Sequence, residues 1–233
     1  MTYVFSDIHG CYGQYKTMLE KIRFGPSDSL YILGDVIDRG PDGVKILQDM
    51  MGRPNVFPIL GNHELTAALC LPWLLKEITH ESLAELDGIT LAALGDWLEN
   101  GGEPTLKAIR QLSREEQAEL LSYIRDMELY AEVEVQGRSF VLVHAGLDHF
   151  EPDKPLDEYD LEDFLYARPD ADSAYWPEKT VVLGHTPTRL LSGQDKILSK
   201  GTMIRIDCGC NFGGPLGCLC LDTMEEFYVE ANR

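Results

Sequence analysis

Short apolar runs recur along the chain, separated by segments of mixed polarity. They lie at residues 3–5, 30–33, 56–60, 140–143, 181–183, 203–206, 216–221 and 227–229. Runs of this length are typical of buried strands. The early runs alternate with helix-like patterns near 13–23, 42–51 and 63–79, which predicts βαβ units and an α/β fold. The later runs lie closer together, with a Gln136-Gly137 turn, and predict an antiparallel section.

Residues 66–129 have a helical pattern, interrupted at Gly88, Gly101-Gly102 and Pro104. Within it, Ser113 is followed three residues later by Glu116, which predicts a capping box for a helix over 114–126. We interpret this block as a helical insertion inside one domain covering residues 1–233, because a chain of this length can form a single large core.

Polar side chains follow five of the apolar runs at the point where each predicted strand ends. In chain order they are Asp7 and His9, then Asp35, then Asn62 and His63, then His144, then His185. The carboxyl ends of strands in open α/β sheets are where ligands bind. Carboxylate, imidazole and amide donors suit Mn, Fe, Zn or Co, and Asp35 on the middle strand can bridge two such ions. The sequence therefore predicts a dinuclear metal site.

The charge balance limits the partners. Lys and Arg total 20 against 39 Asp and Glu, a net charge of −19. Such a surface disfavours nucleic acid and anionic membranes, because it has no basic face to displace counterions. The chain begins with a predicted strand rather than a basic segment followed by an apolar one, so a cytoplasmic location is expected. The oligomeric state is not predicted.

Several residues outside the strand ends are expected to be structural. The pair Cys218 and Cys220 is spaced as alternate residues of a strand, which favours small core side chains over a zinc knuckle. His80 and His149 are expected at the surface. Trp73, Trp97 and Trp176 are expected to pack in the core or at its rim.

The strand-end segments carry the motifs SDIHG, GDVIDRG, GNHE, HAG and GHT, which together span residues 6–186. In order and spacing they resemble the motifs of calcineurin-like metallophosphoesterases, and in particular the phosphoprotein phosphatase family in its small bacterial and phage members. Ser6 and Cys208 depart from the usual glycine and the usual threonine or serine. The resemblance implies a four-layer α/β/β/α sandwich of two mixed sheets with a helical insertion.

The resemblance also implies roles for individual residues. The first metal would be held by Asp7, His9 and Asp35, and the second by Asp35, Asn62, His144 and His185. Two divalent ions are expected, Mn²⁺ first, with Fe, Zn or Co as alternatives. A hydroxide bridging them would attack phosphorus in line. His63, oriented by Asp38, would be the general acid, and Arg39 would grip the phosphate, with Arg168 of FLYARPD as the second arginine.

The implied activity is that of a serine/threonine protein phosphatase acting on a phosphorylated protein or small phosphoester. Symmetrical hydrolysis of dinucleoside polyphosphates remains open, because it would use the same residues. A non-catalytic scaffold is disfavoured by the complete set of ligand and acid positions. A nuclease or cyclic-nucleotide phosphodiesterase is disfavoured by GDVIDRG and GNHE. Specificity is expected to lie in the 66–129 insertion and in the acidic 151–172 loop.

Overall fold

The computed structural model describes residues 1–77, 79–80, 87–170 and 172–231. In this part of the chain the first sheet has the strand order β10-β9-β1-β2-β3. Its strands are β1 (Thr2–Phe5), β2 (Ser29–Leu33), β3 (Val56–Ile59), β9 (Leu216–Cys220) and β10 (Glu226–Val229). β1, β2 and β3 are parallel, and β9 and β10 continue the sheet in antiparallel pairing. The first sheet is therefore mixed.

The second sheet has the order β4-β5-β6-β8-β7 among the described residues. It contains β4 (Tyr130–Val135), β5 (Arg138–Val143), β6 (Lys179–Leu183), β7 (Leu198–Lys200) and β8 (Met203–Arg205). β5, β6 and β8 are parallel, and the two edge strands are antiparallel to their neighbours. Gln136 and Gly137 join β4 to β5 with φ angles of 53° and 72°, as a tight hairpin turn requires. The predicted turn is confirmed.

Alternate residues of the central strands face opposite layers. Val4, Leu33, Phe140, Leu142 and Val182 form a core between the two sheets. Their strand neighbours Phe5, Ile32, Val141 and Val181, with Cys218 and Cys220, belong to the larger core that packs beneath the helices. This arrangement is the predicted α/β/β/α sandwich, and Cys218 and Cys220 are core residues as expected.

The helices that cover the first sheet are α1 (Tyr12–Lys21), α2 (Gly43–Met51) and α3 (Asn62–Leu74). The third helix is shorter than the predicted 63–79: the Leu75 N–H still bonds the Leu71 carbonyl in the α-helical pattern, but the Lys76 N–H bonds the Trp73 carbonyl in a tighter turn that ends the helix. Residue 78 of that prediction lies outside the described residues. Nowhere in the described chain is a helix both long and apolar enough to cross a membrane.

The insertion continues with α4 (Gly88–Trp97), a π-helical turn (Leu98–Gly102), α5 (Glu103–Ile109) and α6 (Arg114–Arg125). The predicted breaks at Gly88 and Pro104 are helix beginnings, and Gly101, with φ 102°, bends the chain. The predicted capping box is confirmed, with Ser113 and Glu116 exchanging hydrogen bonds of 3.2 and 2.8 Å. Residues 81–86 of the predicted insertion lie outside the described residues.

The acidic segment contains a 3₁₀ turn (Leu156–Glu158) and the short helix α7 (Leu161–Leu165). Residue 171 of the predicted 151–172 loop is not among the described residues. A further short helix, α8 (Arg189–Ser192), and a 3₁₀ turn (Cys210–Phe212) precede β9.

Candidate active site

The strand-end polar residues come together where the carboxyl ends of both sheets meet. Asp7, His9, Asp35, Asp38, Arg39 and His185 all have φ between 44° and 66°. This left-handed region is uncommon for residues other than glycine, asparagine and aspartate, and it costs conformational energy. Five of the six residues are aspartates or histidines, which enter this region more readily than other side chains do, so the cost falls mainly on Arg39.

Among the residues that the structure describes, two groups of potential metal donors share Asp35. One contains His9, Asp35 and His63, and the other contains Asp35, His144 and His185, each with donor atoms within 4.8 Å of one another. Asp35 Oδ2 is 3.6 Å from His9 Nε2 and 3.9 Å from His63 Nε2, and its Oδ1 is 3.6 Å from His144 Nε2. The two oxygens of one carboxylate thus face different groups.

Backbone carbonyls fix the orientation of two of these histidines. His9 Nδ1 donates to the Ile37 carbonyl at 2.9 Å and His144 Nδ1 donates to the Leu33 carbonyl at 2.7 Å. Because a carbonyl can only accept, each ring carries its hydrogen on Nδ1 and turns the Nε2 lone pair toward Asp35. This is how histidine ligands are commonly oriented in metal sites.

The donor set fits bound cations. His144 Nε2 lies 2.9 Å from Asn62 Oδ1 and 3.2 Å from His185 Nδ1, so acceptor atoms converge there. Burial lowers the pKa of His9 to about 3, and burial with the neighbouring His144 lowers that of His185 to about 3, so both rings are neutral. Burial raises the pKa of Asp35, but the surrounding histidines outweigh it and hold the pKa below its usual value. Neutral imidazoles around an ionised carboxylate are the protonation states that metal binding requires.

Asp7 is buried beside these groups but belongs to neither of them. Both of its oxygens accept hydrogen bonds from the His185 backbone N–H, at 3.1 and 3.0 Å. Burial, followed by the charge of Asp35, raises its pKa to about 8. Its role as a metal ligand therefore stays a prediction.

His63, Asp38 and Arg39 form a connected chain at the first donor group. His63 Nδ1 is 2.8 Å from Asp38 Oδ2. Burial lowers the pKa of His63, but Asp35 and Asp38 outweigh burial and leave that pKa raised. Arg39 donates Nη1 to His9 Nε2 at 2.6 Å and Nη2 to His63 Nε2 at 3.0 Å, and its guanidinium lies 5.1 Å from the Phe212 ring. The guanidinium is therefore fixed next to the donors.

A cavity of about 480 Å³ opens over the site. Asp35, Asn62, His63 and His185 line it, together with the two arginines Arg39 and Arg168. Arg168 donates to Thr186 Oγ1 at 3.5 Å. The insertion supplies much of the remaining wall, through side chains of α3 and α4.

Sequence reasoning gave no role to Glu64, although it lies in the GNHE motif. Its buried carboxylate accepts hydrogen bonds from three consecutive backbone N–H groups, those of Asp35, Val36 and Ile37, at 2.8, 2.9 and 3.1 Å. Glu64 thereby shapes the loop that carries Asp35. Trp97 was expected only to pack, but it also donates a hydrogen bond to Asp38, a residue of the site.

The two histidines predicted at the surface are exposed. His80 makes no contribution to either donor group, and the side chain of His149 is 83% exposed, with Nδ1 2.8 Å from Asp163. Both predictions are confirmed.

Comparison with known proteins agrees with this geometry. The sequence model of the calcineurin-like phosphoesterase family matches residues 2–209. The chain belongs to this family. Membership accounts for the shared carboxylate and the converging histidines, because the matched region contains all five strand-end motifs.

Curated relatives of this calcineurin-like phosphoesterase carry two different names. It is 38% identical over 112 residues to the symmetrical bis(5'-nucleosyl)-tetraphosphatase of Wigglesworthia glossinidia brevipalpis, covering 47% of this chain and 40% of that protein. It is 30% identical over 175 residues to serine/threonine-protein phosphatase 2 of Salmonella typhimurium, covering 75% of this chain and 66% of that protein. The matched parts thus span 40% and 66% of the two relatives.

Solved structures share the fold. A candidate diadenosine tetraphosphatase superimposes with a TM-score of 0.66 at 20% identity, covering 100% of this chain and 94% of the other. A serine/threonine phosphatase from Saccharomyces cerevisiae superimposes with a TM-score of 0.60 at 14% identity, covering 100% and 80%. At these identities the likeness concerns the fold alone.

Proposed function

We propose that this protein is a metal-dependent phosphatase that hydrolyses phosphate monoesters on serine or threonine side chains of proteins. The observation that carries the proposal is the position of Asp35, whose carboxylate lies in both donor groups beneath a cavity bordered by two arginines. A carboxylate shared between two neighbouring cations is suited to hydrolysis at a dinuclear centre. We expect Mn²⁺ in both positions, with Fe, Zn or Co as alternatives that the same donors suit.

The proposed ligands are the two donor groups with three changes: His63 is left out as the proton donor, and Asp7 and Asn62 are added. His9 and Asp35, with Asp7 beside them, would hold one ion, and Asp35, Asn62, His144 and His185 would hold the other. When bound, the ions supply Lewis acidity and lower the pKa of a coordinated water. Asp35 keeps the two positions adjacent.

His63 is proposed as the proton donor to the leaving oxygen. Asp38 accepts a hydrogen bond from His63 Nδ1 at 2.8 Å, so the ring is fixed with Nε2 on the cavity side, where Nε2 accepts from Arg39 Nη2 at 3.0 Å. When the guanidinium turns to the substrate phosphate, Nε2 would be free to carry the proton for the leaving oxygen. A general acid must lie within hydrogen-bond reach of the group it protonates, and an oriented imidazole meets that condition once substrate fills the cavity.

Arg39 and Arg168 are proposed to bind the phosphoryl oxygens that face the cavity. A guanidinium presents paired N–H donors that match two phosphate oxygens. Arg39 already points such donors at the first group, toward His9 and His63. Arg168 lines the same cavity and is tied only to Thr186 among the described contacts.

The cavity's charges favour a phosphate monoester. Of the described residues that line it, Arg39 and Arg168 are cationic, whereas Asp35 and Asp96 are acidic. Two arginines match one phosphoryl group better than a chain of four phosphates. A net charge of −19 also repels a polyanion at long range, and the acidic 151–172 loop favours a substrate with basic flanking residues.

Symmetrical hydrolysis of dinucleoside polyphosphates is the second candidate. The Wigglesworthia relative carries that name. Tyr166 lines the cavity and is 44% exposed, so its ring is free to stack on a nucleobase. The same metal donors and the same general acid would serve this reaction.

The test measures phosphate release after removal of metal with EDTA and addition of Mn²⁺. A phosphoserine peptide with basic flanking residues and diadenosine tetraphosphate are assayed in parallel with the wild type. His63→Asn should slow the peptide reaction by about 10²–10⁴-fold, because it removes the proton donor. His149→Asn makes the same change at an exposed histidine and should leave the rate unchanged.

The outcomes separate the candidates. Metal-dependent turnover of the peptide, lost in His63→Asn, supports the protein phosphatase. Turnover of the dinucleotide alone would make the second candidate the function. No turnover of either compound by protein with metal bound would overturn both and favour a non-catalytic scaffold.

A further inference from the structure

Asp38 is fully buried, and two residues of the insertion donate hydrogen bonds to its carboxylate. Trp97 Nε1 donates to Asp38 Oδ2 at 2.8 Å, and Thr105 Oγ1 donates to Asp38 Oδ1 at 2.6 Å. The same Thr105 oxygen accepts a 2.9 Å hydrogen bond from the Asp38 backbone N–H. Both insertion residues are themselves buried, at 1% and 3% exposure.

These bonds determine where Asp38 points. Oδ2 binds both His63 Nδ1 and Trp97 Nε1, while Oδ1 binds Thr105. With a donor on each oxygen, the carboxylate plane has little freedom to rotate. Asp38 orients the His63 ring, so the insertion determines the orientation of His63 indirectly, through Asp38.

Trp97 and Thr105 belong to a segment that is itself closely fitted to the strand-end loop. A Cβ atom on Gly102 would lie 2.5 Å from the Trp97 ring, and Gly101 accepts a 2.8 Å hydrogen bond from the Arg39 backbone N–H. The π-helical turn between α4 and α5 thus lies directly against Arg39, the residue after Asp38, and is flanked by Trp97 and Thr105. Movement of this turn would be passed to Asp38 through short hydrogen bonds.

We propose that Trp97 and Thr105 are positioning residues for proton delivery, holding Asp38 so that His63 is aimed at the leaving oxygen. This inference rests on the proposed phosphatase function. It gives the insertion a part in the chemical step, beyond forming the cavity wall.

The proposal predicts a dependence on the leaving group. A poor leaving group such as phenoxide needs a proton as its bond to phosphorus breaks, whereas 2,4-dinitrophenoxide departs without one. In Trp97→Phe, which keeps a ring but removes the N–H, kcat for phenyl phosphate should fall by about 10–100-fold, less than the roughly 10²–10⁴-fold worth of the whole general-acid contribution, because His63 itself remains. For 2,4-dinitrophenyl phosphate, kcat should change by less than about twofold, since no proton transfer is lost.

Substitutions of Thr105 provide a second, independent test of the proposal. Thr105→Val keeps the branched shape and removes the hydroxyl, and it should show the same selective loss on phenyl phosphate. Thr105→Ser keeps the hydroxyl and should restore the phenyl phosphate rate. Trp176→Phe is the matched control, because Trp176 donates its N–H to Pro152 and should change neither rate.

Failure of this inference differs from failure of the proposed function. If the Mn²⁺-loaded wild type hydrolyses neither aryl phosphate, the phosphatase assignment fails. If the wild type hydrolyses both, equal losses on both substrates, or no loss on either, in folded Trp97→Phe and Thr105→Val overturn the positioning role. A loss confined to phenyl phosphate, restored in Thr105→Ser, supports it. Circular dichroism identifies any variant that does not fold, and the other test then decides.

Discussion

Asp38 receives partners from two different regions of the chain. His63, on one side, is 25 residues away in the first turn of α3, directly after β3. Trp97 and Thr105, on the other, are 59 and 67 residues away in the insertion. The strand-end loops carry short motifs whose residues are brought together by parallel strands. The insertion carries no such motif, and its contribution depends on how its helices pack. The contact of Asp38 with His63 can therefore be interpreted from local sequence, and its contacts with Trp97 and Thr105 only from tertiary structure.

The substitution with the largest expected effect is at Asp35, and it tests whether the strand-end residues bind the metals. Asp35→Asn replaces the only carboxylate common to both donor groups with a neutral amide. We expect loss of bound metal, measured by atomic emission, and a fall in phosphatase rate of about 10³-fold, the scale seen when one electrostatic contact to the transition state is removed. Asp96→Asn alters a carboxylate of the same cavity and should keep its metal. Full metal content in Asp35→Asn would contradict the shared-ligand assignment.

Glu64 tests how the Asp35 loop is supported within the same region. Glu64→Ala leaves the three N–H groups of residues 35–37 without their buried acceptor. The free energy of unfolding should fall by about 3 kcal/mol or more, since each unpaired buried donor costs about 1–3 kcal/mol. Urea unfolding in EDTA measures this without any contribution from metal binding. Glu115→Ala, at an exposed position of α6, should change stability by less than about 0.5 kcal/mol. Equal stability of the two variants would show that the loop keeps its shape without Glu64.

Asp49 lies outside both regions, and its substitution tests how much a polar cluster there contributes to the free energy of unfolding. It binds Tyr15 at 2.7 Å and Arg53 at 2.6 Å between α1 and α2. Burial raises its pKa, but these partners and Lys16 outweigh burial and lower the pKa to about 2. The lowered pKa stabilises the fold above the ordinary aspartate pKa of about 4, and this stabilisation is lost as pH falls toward 2. Asp49→Asn should therefore cost about 1–2 kcal/mol at neutral pH, and urea unfolding should show the difference from wild type shrinking below about pH 4. A difference that does not depend on pH would contradict the charge-based explanation.

The smallest effect tests the part of the insertion that sequence alone predicted. Ser113→Ala removes the N-terminal cap of α6 and should lower the free energy of unfolding by about 1 kcal/mol. Thermal unfolding measures the loss, with Ser122→Ala in the same helix as a variant expected to be nearly neutral. Phosphatase activity should be unchanged in both, because neither serine contacts the site. A fall in activity for Ser113→Ala would mean that even local helix stability in the insertion reaches the active site.

The strands and helices were predictable to different extents. The buried central strands gave apolar runs that stood out, and the Ser113 cap had its own sequence signature. β4 and β7 were missed, because they are the edge strands of the second sheet and carry polar side chains such as Glu132, Glu134 and Lys200. Edge strands need only one buried face and avoid the continuous apolar runs of central strands.

The positions of the site residues could be predicted from the sequence only where a single rule of sheet topology brings them together. That rule is that the carboxyl ends of parallel strands share an edge, and it places His9, Asp35 and His144 near one another. No comparable rule joins Trp97 or Thr105 to Asp38, since their contact depends on the bend at Gly101 and on the packing of α4 and α5. The three backbone hydrogen bonds to Glu64 could not be predicted from the sequence either, because a glutamate that follows a histidine forms no recognised motif for binding a loop.

Helix α4 and the π-helical turn that follows it carry two kinds of residue side by side. Ala93, Asp96 and Asn100 border the cavity that receives substrate, and Trp97 between them reaches Asp38. A change in the sequence of this segment would therefore alter substrate preference and reaction rate at the same time. An exchange of the insertion for one of different sequence, made to accept a new substrate, would have to bring its own indole and hydroxyl donors, or the new enzyme would bind its substrate and turn it over slowly.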